Sequence, residues 1–217
     1  ELIGKMNIKR VGIDEGHLTL SQYRILMRQR PKGVQFVKVD HLVENFREIK
    51  EDKEVKQIKK ALLVHKEAHQ FLQRTLKPKI SEQEVLLKLE HFVKSRGAGF
   101  SFDPIVASGP NSCYPHARVT KRRVRKIEPV LIDMGIDVEG YKSDLTRMFF
   151  LGKIPKLVKQ INNHVYEAQQ RAIAKIKVGV LIADVDYAAR NYLAENGLAE
   201  HFGHALGHGV GLEIHES

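Results

Sequence analysis

The fold of this chain is decided by Pro129-Val130-Leu131-Ile132-Asp133-Met134-Gly135-Ile136-Asp137-Val138-Glu139-Gly140-Tyr141-Lys142-Ser143-Asp144-Leu145-Thr146-Arg147-Met148-Phe149-Phe150-Leu151. The apolar run Pro129 to Met134 and the alternating run Tyr141 to Leu151 read as strands, and Asp137-Val138-Glu139-Gly140 between them is a turn signal. A β-hairpin follows. Closure about Val138 and Glu139 would set Asp133 directly opposite Asp144, with Cβ atoms roughly 4.5 to 5.5 Å apart. Two ionised carboxylates that close repel each other, so one takes a proton or a cation sits between them. A divalent metal pair, typically ~3.5 to 4 Å apart, resolves the repulsion and makes a hydrolytic centre. The hairpin alone leaves a plainer alternative open, two solvated aspartates on an exposed ribbon.

A second segment bears on that choice: Gly203-His204-Ala205-Leu206-Gly207-His208-Gly209-Val210-Gly211-Leu212-Glu213-Ile214-His215-Glu216. His204 and His208 have the i, i+4 spacing of ligands on one helical face, yet the four glycines disfavour a helix there. A strand or loop fits better. Glycines let a backbone pass close to a ligand, and histidines supply neutral imidazole nitrogen for a divalent ion. Three histidines within twelve residues, beside an acidic hairpin, weaken the reading of each as a surface residue.

These segments resemble the pita-bread metallopeptidases: methionine aminopeptidase, Xaa-Pro aminopeptidase, prolidase and the metal-free creatinase. The resemblance extends to Phe102-Asp103-Pro104-Ile105-Val106-Ala107-Ser108-Gly109-Pro110-Asn111-Ser112, to Pro115-His116-Ala117 and to Arg125-Lys126-Ile127-Glu128-Pro129. It covers roughly Asp52 to Ser217 and leans toward the prolidase and Xaa-Pro aminopeptidase branch. It implies an α+β pita-bread fold, a curved and mainly antiparallel sheet with helices on its outer face. It also implies two divalent metal ions, with Mn, Co, Zn and Fe all suited to the ligands. Asp133 would chelate one ion, Asp144 would bridge both and His208 would bind the other. His116, His204 and His215 would be the catalytic groups of the substrate site, hydrogen-bonding the scissile carbonyl and aiding proton transfer to the leaving amine. The nucleophile would be a metal-bridging water. The implied substrate is a peptide with proline in its second position, cut by an Xaa-Pro aminopeptidase or dipeptidase. Methionine aminopeptidase and a non-catalytic peptide- or protein-binding module stand as alternatives.

The sequence departs from the family in two places. The family completes its metal site with two glutamates on later strands, and this sequence stops at Ser217 before either, so three of five ligands are present. The expectation is a fragment, shortened at both ends, with little or no peptidase activity. The turn between Glu128-Pro129 and the metal strand is also shortened, so either the strand starts earlier or the loop is remodelled.

Along the rest of the chain, residues 1–50 are expected to be the C-terminal part of a smaller creatinase-type α/β domain, and residues 51–217 a peptidase domain incomplete at its C-terminus. The first part carries a strand-like Arg10 to Asp14, a helix near Ser21 to Arg30 and an apolar run Val34 to Val39. Glu48 to Glu54 reads as a charged connector into a long amphipathic helix, about Lys53 to Leu76. Ser81-Glu82-Gln83-Glu84 is a capping-box pattern opening a helix to about Arg96, with Gly97 as its stop. Lys156 to Lys177 and Asp184 to Asn196 predict two helices after the hairpin.

Hydrophobic residues at 42% and charged residues at 29% are ordinary globular usage, which argues against disorder and a membrane-buried chain alike. No apolar run approaches the ~20 residues that span a bilayer, and no signal peptide heads the sequence, so a cytoplasmic protein with no membrane partner is expected. The lone Cys113 permits no internal disulfide. It lies near His116, but the metal motif explains hydrolysis without it. The net charge of +10 raises nucleic acid as a partner. Its densest cluster, Lys121-Arg122-Arg123-Val124-Arg125-Lys126, comes with no nucleic-acid-binding motif and reads as a solvated loop. A homodimer is compatible with the sequence.

Overall fold

The computed structural model describes Met6, residues 8–39 and residues 41–216. The chain divides into two compact units, one ending at Ile49 and the other Lys50–Glu216.

The N-terminal unit contains β1 (Arg10–Ile13), α1 (Leu20–Gln29), β2 (Gln35–Lys38) and α2 (Leu42–Glu48). The two strands pair in parallel, Arg10 with Gln35 through Ile13 with Lys38, and α1 is the crossover that a parallel pair requires. Thr19 opens α1 with a capping box: its hydroxyl accepts from the Gln22 amide, and the Gln22 side chain accepts from the Thr19 amide. Helix α2 was not expected. It has seven residues, none buried, and its N-cap His41 sits at φ 55° without a side-chain cap, so neither periodicity nor a cap announces it.

The second unit runs α3 (Asp52–Thr75), α4 (Glu82–Ser95), β3 (Gly99–Phe100), β4 (Ile105–Ser108), β5 (Pro129–Val138), β6 (Tyr141–Phe150), α5 (Lys156–Lys175) and α6 (Ile182–Glu195). Strand β5 is the spine of a wholly antiparallel sheet, with β3 and β4 along one edge and β6 along the other. It begins at Pro129 itself, paired with Phe150, so the shortened turn after Glu128 resolves as an earlier strand start. Val130, Ile132, Met134 and Ile136 alternate along β5 and are fully buried against the helices. Helix α3 meets them with Ala61, His65, Ala68 and Leu72, and α4 with Val85, Leu89 and Val93, the three- and four-residue spacings of a single helical stripe. Burying each large side chain of this set contributes roughly 1.5 to 3 kcal/mol. The odd-numbered residues of β5, Asp133 among them, therefore face away from the core.

Helix α4 starts as the capping pattern predicts: the Ser81 hydroxyl accepts from the Glu84 amide at 3.1 Å, and the Glu84 carboxylate accepts from the Ser81 amide at 2.7 Å. Gly97, at φ 70°, ends it in the left-handed region that a side chain would resist. Helices α5 and α6 form a smaller hydrophobic cluster of Ala168, Ala172, Ala189 and Leu193, against which Phe202 and Leu206 pack.

One polar feature lies inside the main core. His65, with no exposed surface, places Nδ1 3.0 Å from the Ser143 hydroxyl of β6 and stacks on His69 at 4.9 Å. Nε2 of His65 and both ring nitrogens of His69 are buried without a hydrogen-bond partner. Burial, then the neighbouring His69 and Arg147, push the His65 imidazole down from 6.5 to about 3. Burial and Arg147 push His69 from 6.5 to about 4. Both rings are thus neutral at physiological pH.

The sign of the pH effect follows. As pH falls through about 6.5 the unfolded chain takes up protons at both histidines while the folded chain takes none until about 4, so stability is lost across that window. His69→Phe removes no hydrogen bond and is expected to flatten the fall in Tm between pH 7 and pH 4.5 while leaving Tm at pH 7.5 unchanged or raised. Thermal unfolding at half-unit pH steps checks this. Parallel profiles for the two proteins would refute it.

Candidate metal centre

The hairpin closes on a two-residue turn, Glu139 at φ 53° and Gly140 at φ 88°, with Val138 paired to Tyr141. Two successive positive φ values are those of a type I′ turn, whose twist matches antiparallel strands. Asp137 secures it, accepting from the Gly140 amide at 2.9 Å and from Lys142 Nζ at 2.9 Å. The turn centre is therefore one residue later than closure about Val138 and Glu139 would put it, which shifts the pairing by two residues. Asp133 pairs with Thr146, and Asp144 pairs with Gly135. This corrects the expectation of a directly opposed aspartate pair. The two carboxylates share the face opposite the helices but stand diagonally, a separation of about 7 to 8 Å between α-carbons, which leaves a gap between them rather than a contact.

Gly135 keeps that gap shaped. A Cβ there would come within 2.7 Å of the Phe102 ring and 2.8 Å of Ser101 Cβ, so glycine is what allows the β3–β4 connection to close over β5 beside Asp144. The Ser101 amide completes the approach by donating to the Gly135 carbonyl at 3.0 Å.

The gap is electrostatically costly for anions. Burial raises the pKa of Asp144 above the ordinary carboxylate value, the neighbouring Asp133 raises it further, and His208 and His215 act in the opposite direction. Thr146, directly across from Asp133, donates its hydroxyl to Asp133 Oδ1 at 2.7 Å. Thr146 was not singled out from sequence. Its signal was available, because residues 144 and 146 of a strand must share a face.

The histidine segment is irregular, as its glycines predicted. It folds back on itself through paired backbone bonds between Gly209 and Glu216, and it reaches β6 where the Lys142 amide donates to the Gly211 carbonyl at 2.9 Å. His208 Nδ1 donates to the Gly209 carbonyl at 2.9 Å, since a carbonyl can only accept. That tautomer leaves the Nε2 lone pair free, and Nε2 lies 3.4 Å from Asp144 Oδ2. His215 packs edge-to-face on the His208 ring at 4.2 Å. Asp133, Asp144, His208 and His215 thus come together.

His204 and His116 do not join them by any hydrogen bond, ion pair or ring contact among the described residues. His204 Nδ1 donates to the Ala205 carbonyl, and its ring meets Phe202 at 4.8 Å. Its backbone is held by Arg190, which donates to the carbonyls of Phe202 and His204 while paired with Asp186, and Asp186 in turn accepts from the Leu206 amide. In sequence, Asp186 and Arg190 look only like a surface i, i+4 pair. His116 is exposed on the loop after β4.

The donor set fits divalent cations: a diagonal carboxylate pair at a separation that admits an ion, one carboxylate resisting ionisation beside the other, and an imidazole lone pair turned toward it. Among the described residues, the trio with all ligand atoms within 4.8 Å of one another is Asp14, His17 and Glu44 of the N-terminal unit. Asp14 there already accepts from the Gly16 amide and from His17, a self-contained loop brace.

Residues 56–217 match the sequence profile of metallopeptidase family M24. The chain is 39% identical over 191 residues to an Xaa-Pro dipeptidase from Pyrococcus horikoshii, an overlap that covers 88% of this chain and 54% of the relative. An Xaa-Pro dipeptidase from Bacillus anthracis superposes with a TM-score of 0.95 at 36% identity, over 100% of this chain and 61% of that one. An X-Pro aminopeptidase from Thermotoga maritima gives a TM-score of 0.91 at 33% identity, again over 100% and 61%. The chain spans 54 to 61% of the length of these relatives.

A cobalt titration followed by absorbance tests the centre. Thr146→Val, which frees Asp133 Oδ1, is expected to weaken ion binding about tenfold, the usual scale for a group that orients a ligand. Asp144→Asn is expected to remove measurable binding. Unchanged affinity in Asp144→Asn would take the hairpin out of the metal site.

Proposed function

The chain belongs to metallopeptidase family M24, whose α+β pita-bread fold it shares, and we propose that it carries the metal-binding half of an exopeptidase that removes the N-terminal residue from Xaa-Pro peptides. The observation that carries this reading is the diagonal placement of Asp133 and Asp144 beside the free lone pair of His208. Asp133, Asp144 and His208 Nε2 would hold the divalent ions, with Asp144 shared between them. Mixed carboxylate and imidazole ligands suit Mn, Co, Zn or Fe. Such ions supply a water whose pKa is lowered toward neutrality.

The remaining groups hold and orient. Thr146 fixes the rotamer of Asp133, and the Gly209 carbonyl fixes the tautomer of His208. His215, packed against the His208 ring, would donate to the scissile carbonyl as charge develops there. His116 and His204 serve the same side, one polarising the carbonyl and one protonating the leaving amine. Preference for proline in the second position is supported by the relatives, which are named for Xaa-Pro substrates. Residues 1–50 are the C-terminal part of a separate N-terminal domain, and residues 51–217 are the peptidase domain. A reducing, cytoplasmic setting suits the single free Cys113. Among the described residues no helix is long and apolar enough to cross a membrane.

Asp133, Asp144 and His208 are three of the five ligands that the family resemblance implies. The position of His204, turned to the Ala205 carbonyl and the Phe202 ring and away from these ligands, favours a second reading, a non-catalytic peptide-binding module. The two are separated by a chimera in which the C-terminal part of a relative restores the two glutamates. It is expected to bind about two ions and to cleave Xaa-Pro peptides over Met-Ala peptides by about 100-fold. Selective Met-Ala cleavage would overturn the substrate assignment. A chimera that binds no metal would leave the binding module as the reading.

A further inference from the structure

We propose that Glu82 is the positioning residue for His116: its buried carboxylate staples both ends of the loop that carries this histidine, an inference that rests on reading His116 as a substrate-side group. Glu82 is the first residue of α4 and has no exposed surface, a rare place for a carboxylate unless every lone pair is used. Here they are. Oε1 accepts from the Ser108 amide at 2.8 Å, the Ser108 hydroxyl at 2.8 Å and Asn111 Nδ2 at 3.1 Å. Oε2 accepts from the Thr120 amide at 3.0 Å, the Thr120 hydroxyl at 2.6 Å and Asn111 Nδ2 at 3.2 Å.

The donors come from three places. Ser108 ends β4, where the loop departs, Asn111 lies in its first turn, and Thr120 is where it returns. One carboxylate therefore ties both ends of a segment held otherwise by the Gln83 amide, which donates to the Thr120 carbonyl at 3.1 Å, and by local bonds: Ser112 to Gly109, Cys113 to Pro110, Tyr114 to Asn111 and Ala117 to Tyr114. Val119 adds an apolar contact with the core. Outside the staple, Arg122 Nη1 donates to the Ser108 hydroxyl at 2.7 Å and pairs with Glu128, while the Glu82 amide donates to the Arg122 carbonyl at 3.0 Å. Part of the basic cluster thus belongs to the same support. Closing a loop at both ends lowers its conformational freedom, so the segment that carries His116 is restrained without His116 touching the group that restrains it. Six hydrogen bonds onto one carboxylate are also far more than anchoring a helix start requires, for which the Ser81 capping box already suffices.

The decisive comparison is Glu82→Gln, which keeps volume but turns one acceptor into a donor facing donors, against Val85→Ala, which lowers stability from the same helix without touching the loop. In the 217-residue chain, at a temperature equally far below each Tm, Glu82→Gln is expected to raise tryptic cleavage after Arg118 and Lys121 about tenfold. Amide hydrogen exchange across residues 109–119, followed by mass spectrometry, is expected to rise in parallel. Val85→Ala is expected to change neither, and cobalt affinity is expected to stay the same in both. Should Glu82→Gln not fold, Thr120→Val releases one end of the staple and is expected to show the same loop opening at smaller size. The proposal is overturned if the loop measurements do not move in the Glu82 or Thr120 variants, or if Val85→Ala moves them equally. Failure of the substrate-side reading looks different: His116→Ala would leave turnover of the metal-competent chimera unchanged while Glu82→Gln still opened the loop.

Discussion

Everything at the candidate centre depends on the register of one hairpin, and the register depends on two backbone angles. Glu139 and Gly140 both take positive φ, which Gly140 does freely and Glu139 only at a cost of about 1 kcal/mol. That conformation is held because the strands on either side fit no other pairing. A one-residue slip would carry Asp144 toward the core and Ser143 to the surface, exchanging a satisfied hydroxyl for a buried carboxylate. A two-residue slip of the right sense would put the aspartates face to face and close the gap between them. The apolar face fixes the first choice and the turn fixes the second.

Much of this was legible in the sequence. The strands, the helices flanking them and the capping box at Ser81 follow from periodicity and cap chemistry, and each appears within a few residues of its expected place. The coming together of the acidic hairpin with His208 and His215 was legible too, from residue types that make sense beside a cation. The hairpin centre was misjudged because Asp-Val-Glu-Gly admits two adjacent closures, and only pairing over the full length of both strands selects between them. Helix α2 left no trace because it buries nothing. The supports of the site were invisible for a different reason. Glu82, Asp186 and Arg190 act through tertiary contacts to backbone groups far along the chain, and their residue types are those of any solvated helix surface.

Glu82 and the His65–His69 pair illustrate opposite solutions to one problem, the burial of an ionisable group. Glu82 removes the cost of burial by collecting a donor for every lone pair. His65 and His69 leave ring nitrogens without partners and rely on staying uncharged. The first solution gives rigidity. The second ties the packing of α3 against β6, and with it the strand that carries Asp144, to the protonation of a helix on the other face of the sheet.

The bond from the Lys142 amide to the Gly211 carbonyl also has a kinetic meaning. The hairpin is local and closes a two-residue turn, on the microsecond scale typical of such ribbons, whereas the histidine segment arrives from about seventy residues downstream. Its docking is a long-range event, marked at the hairpin by this main-chain link. A nascent chain therefore displays both aspartates well before His208 can face them. The order in which the polypeptide closes on itself then decides when the carboxylates and the imidazole first meet.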